Sequence, residues 1–319
     1  MNLKDLPIGA YGAVMGIAGL GLTARAAAPL FPGVVRAPAY VSEPIVLLGL
    51  LALLLLLVLY IVKLARYPKV VREEFTNPAT LGFCGALPVG MTLVAWGVAP
   101  YSSLLGNILW WSGVVLLFAM QVWGVSRVLQ GGIELAQINA GWMILFIGGI
   151  VVPGGGMALG YYEPARFFYG ASAAATPFVM GLVFYRAAVG PALPEVLRPS
   201  WFILLVPPSL IYAHGLVLYP GFAFLDNLLF FGLMLAGGLL VYARGFARWR
   251  FGVPWWAFTF PLDAFAYAAA RHAQEHASQP WRLVAGVALL LAAAYANASS
   301  GKVNAHHGTP KRQRAKPRA

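Results

Sequence analysis

The sequence predicts an all-α polytopic membrane protein with ten transmembrane helices. Three observations carry that reading. Apolar residues fill 60% of the 319 positions and charged ones only 10%, against roughly 25% charged in a soluble domain. The few charges cluster, leaving uncharged runs long enough to cross a bilayer, which takes about 17 to 25 residues. The prolines fall unevenly between alternate runs. So sparse a set of charges does not cover a water-facing surface, which excludes a soluble enzyme, a disordered protein and a disulfide-stapled secreted domain.

In chain order the charge-free stretches are 6–24, 44–62, 75–126, 135–162, 167–185, 199–225, 227–243 and 283–301. The turn sequence APYSS at 99–103 divides the third of them, and 251–270 is interrupted only by Asp263. The expected spans are therefore about 6–24, 44–62, 80–98, 104–126, 138–160, 167–185, 200–219, 224–243, 252–270 and 283–301. Together they make residues 1–301 a membrane transport domain. The first span is read as a retained helix, because its leading segment holds one lysine against Asp5 and TARAAA at 23–28 is a poor cleavage site. Residues 302–319, basic and without apolar periodicity, read as a disordered tail that contacts anionic head groups.

Cationic loops stay cytoplasmic. Of the 22 Lys and Arg, seventeen fall on the side of the two termini and five (Arg25, Arg36, Arg166, Arg271 and Arg282) on the other. Both termini are expected in the cytoplasm of a multi-pass protein of the cell membrane. The net charge of +12 thus reports topology rather than nucleic-acid binding. Cys84, the single cysteine, reads as a small apolar residue. The pair His306 and His307 is too small a ligand set for a metal site.

Proline within a spanning helix removes a backbone hydrogen bond and kinks the chain. Pro88, Pro153, Pro207, Pro208 and Pro261 fall inside odd spans, whereas Pro44, Pro164, Pro220 and Pro280 fall at the ends of even ones, with Pro177 the exception. The first span has no central proline but carries Gly9, Gly12 and Gly16. Helical hairpins repeated five times would place kinked odd helices inside and regular even helices outside, with freed carbonyls tolerated along a cavity. The alternative is that proline and glycine are simply common in membrane helices.

Several segments resemble one family, the tellurite-resistance and C4-dicarboxylate transporters that include the plant slow anion channels. They are LPIGAYGAVMGIAGLGL at 6–22, ILWWSGVVLLFAMQVWGVSRVL at 108–129, INAGWMILFIGGIVVP at 138–153, LVFYRAAVGPALPEVLRPSWFILLVPPS at 182–209 and WWAFTFPL at 255–262. The resemblance implies five hairpins around a central pore, one pore in each subunit of a homotrimer, and a phenylalanine on the ninth span closing it. The matching stretch offers Phe258 and Phe260; Phe260, next to Pro261 and near the middle of the span, is the expected gate.

No lysine or arginine stands in the middle of a span, so an anion would rely on an apolar path with partial charges from helix ends and unwound backbone. Arg66, Arg127 and Arg250 would gather anions at the cytoplasmic mouth, or serve topology alone. Asp263 and His214 are candidates for proton coupling, because an ionisable group within a span is expensive; the alternative for both is a hydrogen-bonded packing role. Trp110, Trp111, Trp255 and Trp256 read as aromatic belts, Glu134 and Glu163 as interfacial charges, and Gly154, Gly155 and Gly156 as an unwound stretch. No catalytic constellation, phosphate loop or metal cluster is expected, and no cofactor. The function read from the sequence is an anion channel passing small anions; the alternative is a proton-coupled transporter of C4-dicarboxylates or another oxyanion.

Overall fold

The computed structural model describes residues 3–32, 38–245 and 256–307. Arg36, Arg250, Trp255 and residues 308–319 lie outside them. The described residues are mostly helical, joined by turns and short loops, with no strand among them. The longer helices are α1 (Gly12–Ala27), α2 (Pro38–Arg66), α5 (Ala86–Val98), α6 (Ser103–Leu129), α9 (Tyr162–Val189), α10 (Val206–Leu218), α11 (Leu225–Tyr242), α12 (Trp256–Glu275) and α13 (Gln279–His307). Shorter ones are α3 (Pro68–Thr76), α4 (Pro78–Leu81), α7 (Trp142–Phe146) and α8 (Val152–Ala158). The Ser102 hydroxyl accepts from Leu105 N–H and starts α6; Asn77 does the same for α4 through Ala79 N–H. Helix α13 runs on to His307, so 302–307 is helical where the sequence suggests a tail.

Among the described residues, eight helical runs are long and apolar enough to cross a membrane, against ten expected. The difference has a physical cause in each case. The stretch 138–160 is apolar but not one helix: it divides into α7, a 3₁₀ turn at Gly148–Val151 and α8. Helix α12 is continuous but carries Asp263, Arg271 and Glu275, which lower its hydropathy.

The prolines also sit differently from a kink in mid-helix. Pro88, Pro153 and the pair Pro207–Pro208 each stand in the first turn of an α-helix that follows a 3₁₀ segment: Gly82–Gly85 before α5, Gly148–Val151 before α8, and Glu195–Leu205 before α10. A missing N–H costs little there, so these prolines mark where a span changes from 3₁₀ to α. Only Pro261 of the five lies inside a continuous helix. Pro44 and Pro177 also lie inside helices, α2 and α9.

Burial separates two layers. The most apolar windows of Ile8–Leu30, Pro78–Val98 and Glu195–Leu218 are 67%, 89% and 83% buried, whereas those of the five even runs are only 22% to 33% buried. Each inner run packs on the outer helix that follows it: α1 on α2, α5 on α6, α8 on α9, α10 on α11, α12 on α13. The inner runs also pack on one another in a closed circuit, α1 to α5, α5 to α8, the Gly148–Val151 turn to α10, α10 to α12, and α12 back to α1. Small residues permit these approaches. A Cβ on Gly113 would fall 2.9 Å from the Pro88 oxygen, and one on Gly16 would fall 2.9 Å from Thr259 Cβ.

Two cations that the sequence assigns to loops are buried and bonded. Lys63 Nζ donates to Leu6 O at 2.6 Å and to Glu74 at 2.8 Å, and Tyr60 donates to the same carboxylate at 2.7 Å. Arg186 donates to Ile138 O at 2.9 Å and Pro191 O at 2.6 Å. Both tie a helix end to a neighbouring segment.

Candidate functional site

Three cavities follow one another along the inner circuit. The first, with about 50 Å³ of space for water-sized particles, is bordered by Gly9, Gly12, Val89, Pro207, Trp256 and Phe260 among others. The second, about 20 Å³, is bordered by Gly19, Trp96, His214, Phe260, Asp263 and Tyr267; that is room for about one water. The third, about 280 Å³, is bordered by Arg25, Pro29, Trp96, Tyr267, Arg271 and Gln274.

Neighbouring cavities share walls. Phe260 and Val151 border both the first and the second. Leu22, Trp96 and Tyr267 border both the second and the third. Phe260 thus stands between the first and second cavities, and an edge-to-face pair between the second and third, with the Trp96 and Tyr267 centroids 5.5 Å apart.

One face of α12 runs the length of this line. Phe260, Asp263, Tyr267, Arg271 and Gln274 recur every three or four residues, the spacing that aligns side chains on one side of a helix. Helix α1 supplies the facing series Gly12, Met15, Gly19, Leu22 and Arg25. Phe260 needs Gly19 opposite it: a Cβ there would meet Phe260 Cδ2 and Asp263 Oδ2, each at 3.0 Å.

Phe258 takes another place. It is fully buried between Phe202, at a centroid distance of 4.4 Å, and Tyr295, at 4.8 Å, and borders none of the three cavities. Of the three first-span glycines, Gly9 and Gly12 border the first cavity, while Gly16 faces Thr259. Of the prolines, Pro207 and Pro261 border it; Pro88, Pro153 and Pro208 are buried in helix packing.

The polar groups within the line are few. Asp263 is buried, and neither carboxylate oxygen has a hydrogen-bond partner. His214 Nδ1 lies 2.9 Å from Ile150 O, a carbonyl of the 3₁₀ turn, while its Nε2 is buried without a partner. Both side chains border the second cavity. At the third cavity Arg25 holds Glu43 through two bonds, at 3.0 and 2.7 Å, and donates to Gly97 O at 3.0 Å. Arg271 Nε is buried without a partner, and Gln274 donates to Ala26 O at 2.7 Å, joining the ends of α1 and α12.

Trp96, Tyr267 and Gly19 were not among the site residues expected from the sequence, and Arg271 was counted there only for topology, although the spacing of Tyr267 and Arg271 along α12 is visible there. Trp110 stands apart from any aromatic belt: fully buried, it donates to Val152 O at 3.1 Å and stacks on Tyr161. Trp256 borders the first cavity.

The family model described as voltage-dependent anion channel (SLAC1) matches residues 5–298. The chain is 22% identical to the S-type anion channel SLAH3 of Arabidopsis thaliana, covering 85% of this chain and 44% of that one. It is 24% identical to the guard cell S-type anion channel SLAC1 of the same plant, covering 89% and 52%. The chain thus spans about half the length of these plant relatives. With the tellurite resistance protein TehA homolog of Haemophilus influenzae the identity is 25%, over 83% of this chain and 80% of that one. Matched from the first span almost to the end of the last, the chain belongs to the family of voltage-dependent anion channels.

Proposed function

We propose that the chain is a membrane anion channel in which small anions pass along the three cavities and the Phe260 ring closes the way between the first and second. The observation that carries this reading is the double position of Phe260, one ring forming a wall of two cavities on a single line. In this reading ten spans make five hairpins, with α1, α5, α7–α8, α10 and α12 inside. The broken 138–160 stretch and α12 count as the two spans beyond the eight apolar runs. Both termini are cytoplasmic, the subunit assembles as a homotrimer in the cell membrane, and each subunit holds its own path.

The lining suits weakly held anions. Among the described residues, none in the walls of the first two cavities is a lysine or arginine, so along them an anion meets partial charges, including the N-terminal ends of α5 and α10 at the first cavity. Ions that are weakly bound also leave quickly. The cations sit outside, where Arg25 and Arg271 raise the local anion concentration at the third cavity.

The test is anion flux in proteoliposomes with chloride, nitrate and malate at two pH values, wild type against Phe260→Ala. A large gain in the variant with little pH dependence supports the ring-closed channel. Slow, saturable malate flux that follows the proton gradient, without gain in the variant, supports the second reading: a proton-coupled transporter of C4-dicarboxylates or related oxyanions. That reading draws on Asp263 and His214, whose unpartnered atoms border the same small cavity.

A further inference from the structure

Away from this line, three metal-ligating side chains meet where α11 begins and α12 ends. Asp226 stands in the first turn of α11. His272 lies in the last turn of α12, and His276 follows one turn later, its N–H still bonded to His272 O at 3.0 Å. Asp226 Oδ1 is 3.5 Å from His272 Nδ1 and 3.7 Å from His276 Nε2. One donor atom from each of the three lies within 4.8 Å of the others.

The two separations from Asp226 approach those of a coordination shell. Around a tetrahedral cation with bonds of about 2.0 to 2.1 Å, neighbouring ligand atoms lie about 3.4 Å apart. Two imidazoles and one carboxylate suit a borderline divalent metal better than a hard cation, which takes oxygen donors. The widest separation closes by rotation of His276, which is exposed, whereas His272 is buried and held. Trp281 lies 4.8 Å from the His272 ring and walls one side. The Tyr212 hydroxyl is 2.7 Å from His272 Nδ1; the cation takes the lone pair that this hydroxyl faces, which weakens the site relative to one without a competing bond.

We propose that Asp226, His272 and His276 form a binding site for a single divalent transition cation of the zinc class, with coordination positions left open to water. Such a cation joins α11 to α12, the helix that carries Phe260 twelve residues earlier, about 18 Å along the axis. Binding there fixes the end of the helix on which the ring is mounted. The inference does not depend on the anion reading, because metal binding is measured without flux.

The experiment uses the full chain, purified without a histidine tag, with His306 and His307 both replaced by alanine in every sample. Zinc alone is titrated by calorimetry, and cobalt alone is followed by its visible absorption. The expected result is one zinc per chain, with at least a tenfold loss of affinity in Asp226→Asn and in His276→Ala. Cobalt should show a tetrahedral or five-coordinate spectrum that both variants lose. His276 is exposed, so its replacement leaves the packing intact and a lost site is not a lost fold. Equal zinc stoichiometry and affinity in the parent and both variants would overturn the assignment, as would the absence of saturable zinc binding below millimolar concentration.

Discussion

Gly19 and Phe260 face each other so closely that a single added methyl would lie 3.0 Å from the ring. The same methyl would lie 3.0 Å from Asp263 Oδ2, so it meets two side chains at once. Such a contact is tighter than packed interiors tolerate, and one of the groups has to give way. Gly19→Ala is therefore expected to lower anion flux by occupying the second cavity and holding the ring in place. The double variant Gly19→Ala, Phe260→Ala should recover flux to near that of Phe260→Ala. Flux in the double variant as low as in Gly19→Ala would place the obstruction elsewhere.

Phe258 and Phe260 are two positions apart on α12 and have opposite expected outcomes. Phe258 fills a gap between Phe202 and Tyr295, so Phe258→Ala leaves a void and should cost about 3 kcal/mol or more. A lowered thermal midpoint in detergent with no gain in flux is the expected pair of readouts. A gain in flux from Phe258→Ala equal to that of Phe260→Ala would count against the assignment of the gate to Phe260.

The Lys63–Glu74 pair has Lys63 entirely out of contact with solvent. Removing Lys63 leaves the half-buried Glu74 carboxylate held by Tyr60 without its cation, a loss of about 1 to 3 kcal/mol. Lys63→Met should thus destabilise the chain, and adding Glu74→Gln should restore part of the loss. Thermal unfolding of the two variants, compared with Glu74→Gln alone, gives the coupling directly.

Arg271 borders the widest of the three cavities and its Nε has no partner. Its charge should act on anion supply more than on passage. Arg271→Gln is expected to reduce flux severalfold at low anion concentration and low ionic strength, and little at high salt, where screening removes the effect. A reduction that is the same at every ionic strength would indicate a packing defect.

The eight apolar helical runs were legible in the sequence because bilayer crossing demands long apolar runs, and charges mark their ends. The interior of those runs was less so. Residues 138–160 read as one helix, since apolarity does not distinguish α7, a 3₁₀ turn and α8 from a continuous rod. Pro88, Pro153 and Pro207 drew attention to the right places but for a different local geometry, the start of an α-segment rather than a bend within one. Trp96 and Tyr267 look in sequence like any aromatic in an apolar run, and only packing brings their rings together. The histidines at 272 and 276 have visible helical spacing, but Asp226 joins them only because α11 and α12 meet. Attention falls on Phe260 through resemblance alone, and its position between two cavities comes only from packing; Gly19, which faces it, was one of several glycines of the first span with nothing to distinguish it.

The two-layer burial has a consequence for how sequences of this architecture diverge. The even runs have most of their most apolar windows uncovered, and a lipid-facing position asks only for an apolar side chain. Leucine, isoleucine, valine and phenylalanine exchange there at little cost. Identities of 22% to 25% are then compatible with a common interior, and the information that specifies the protein is carried by a minority of its residues, concentrated in the inner runs.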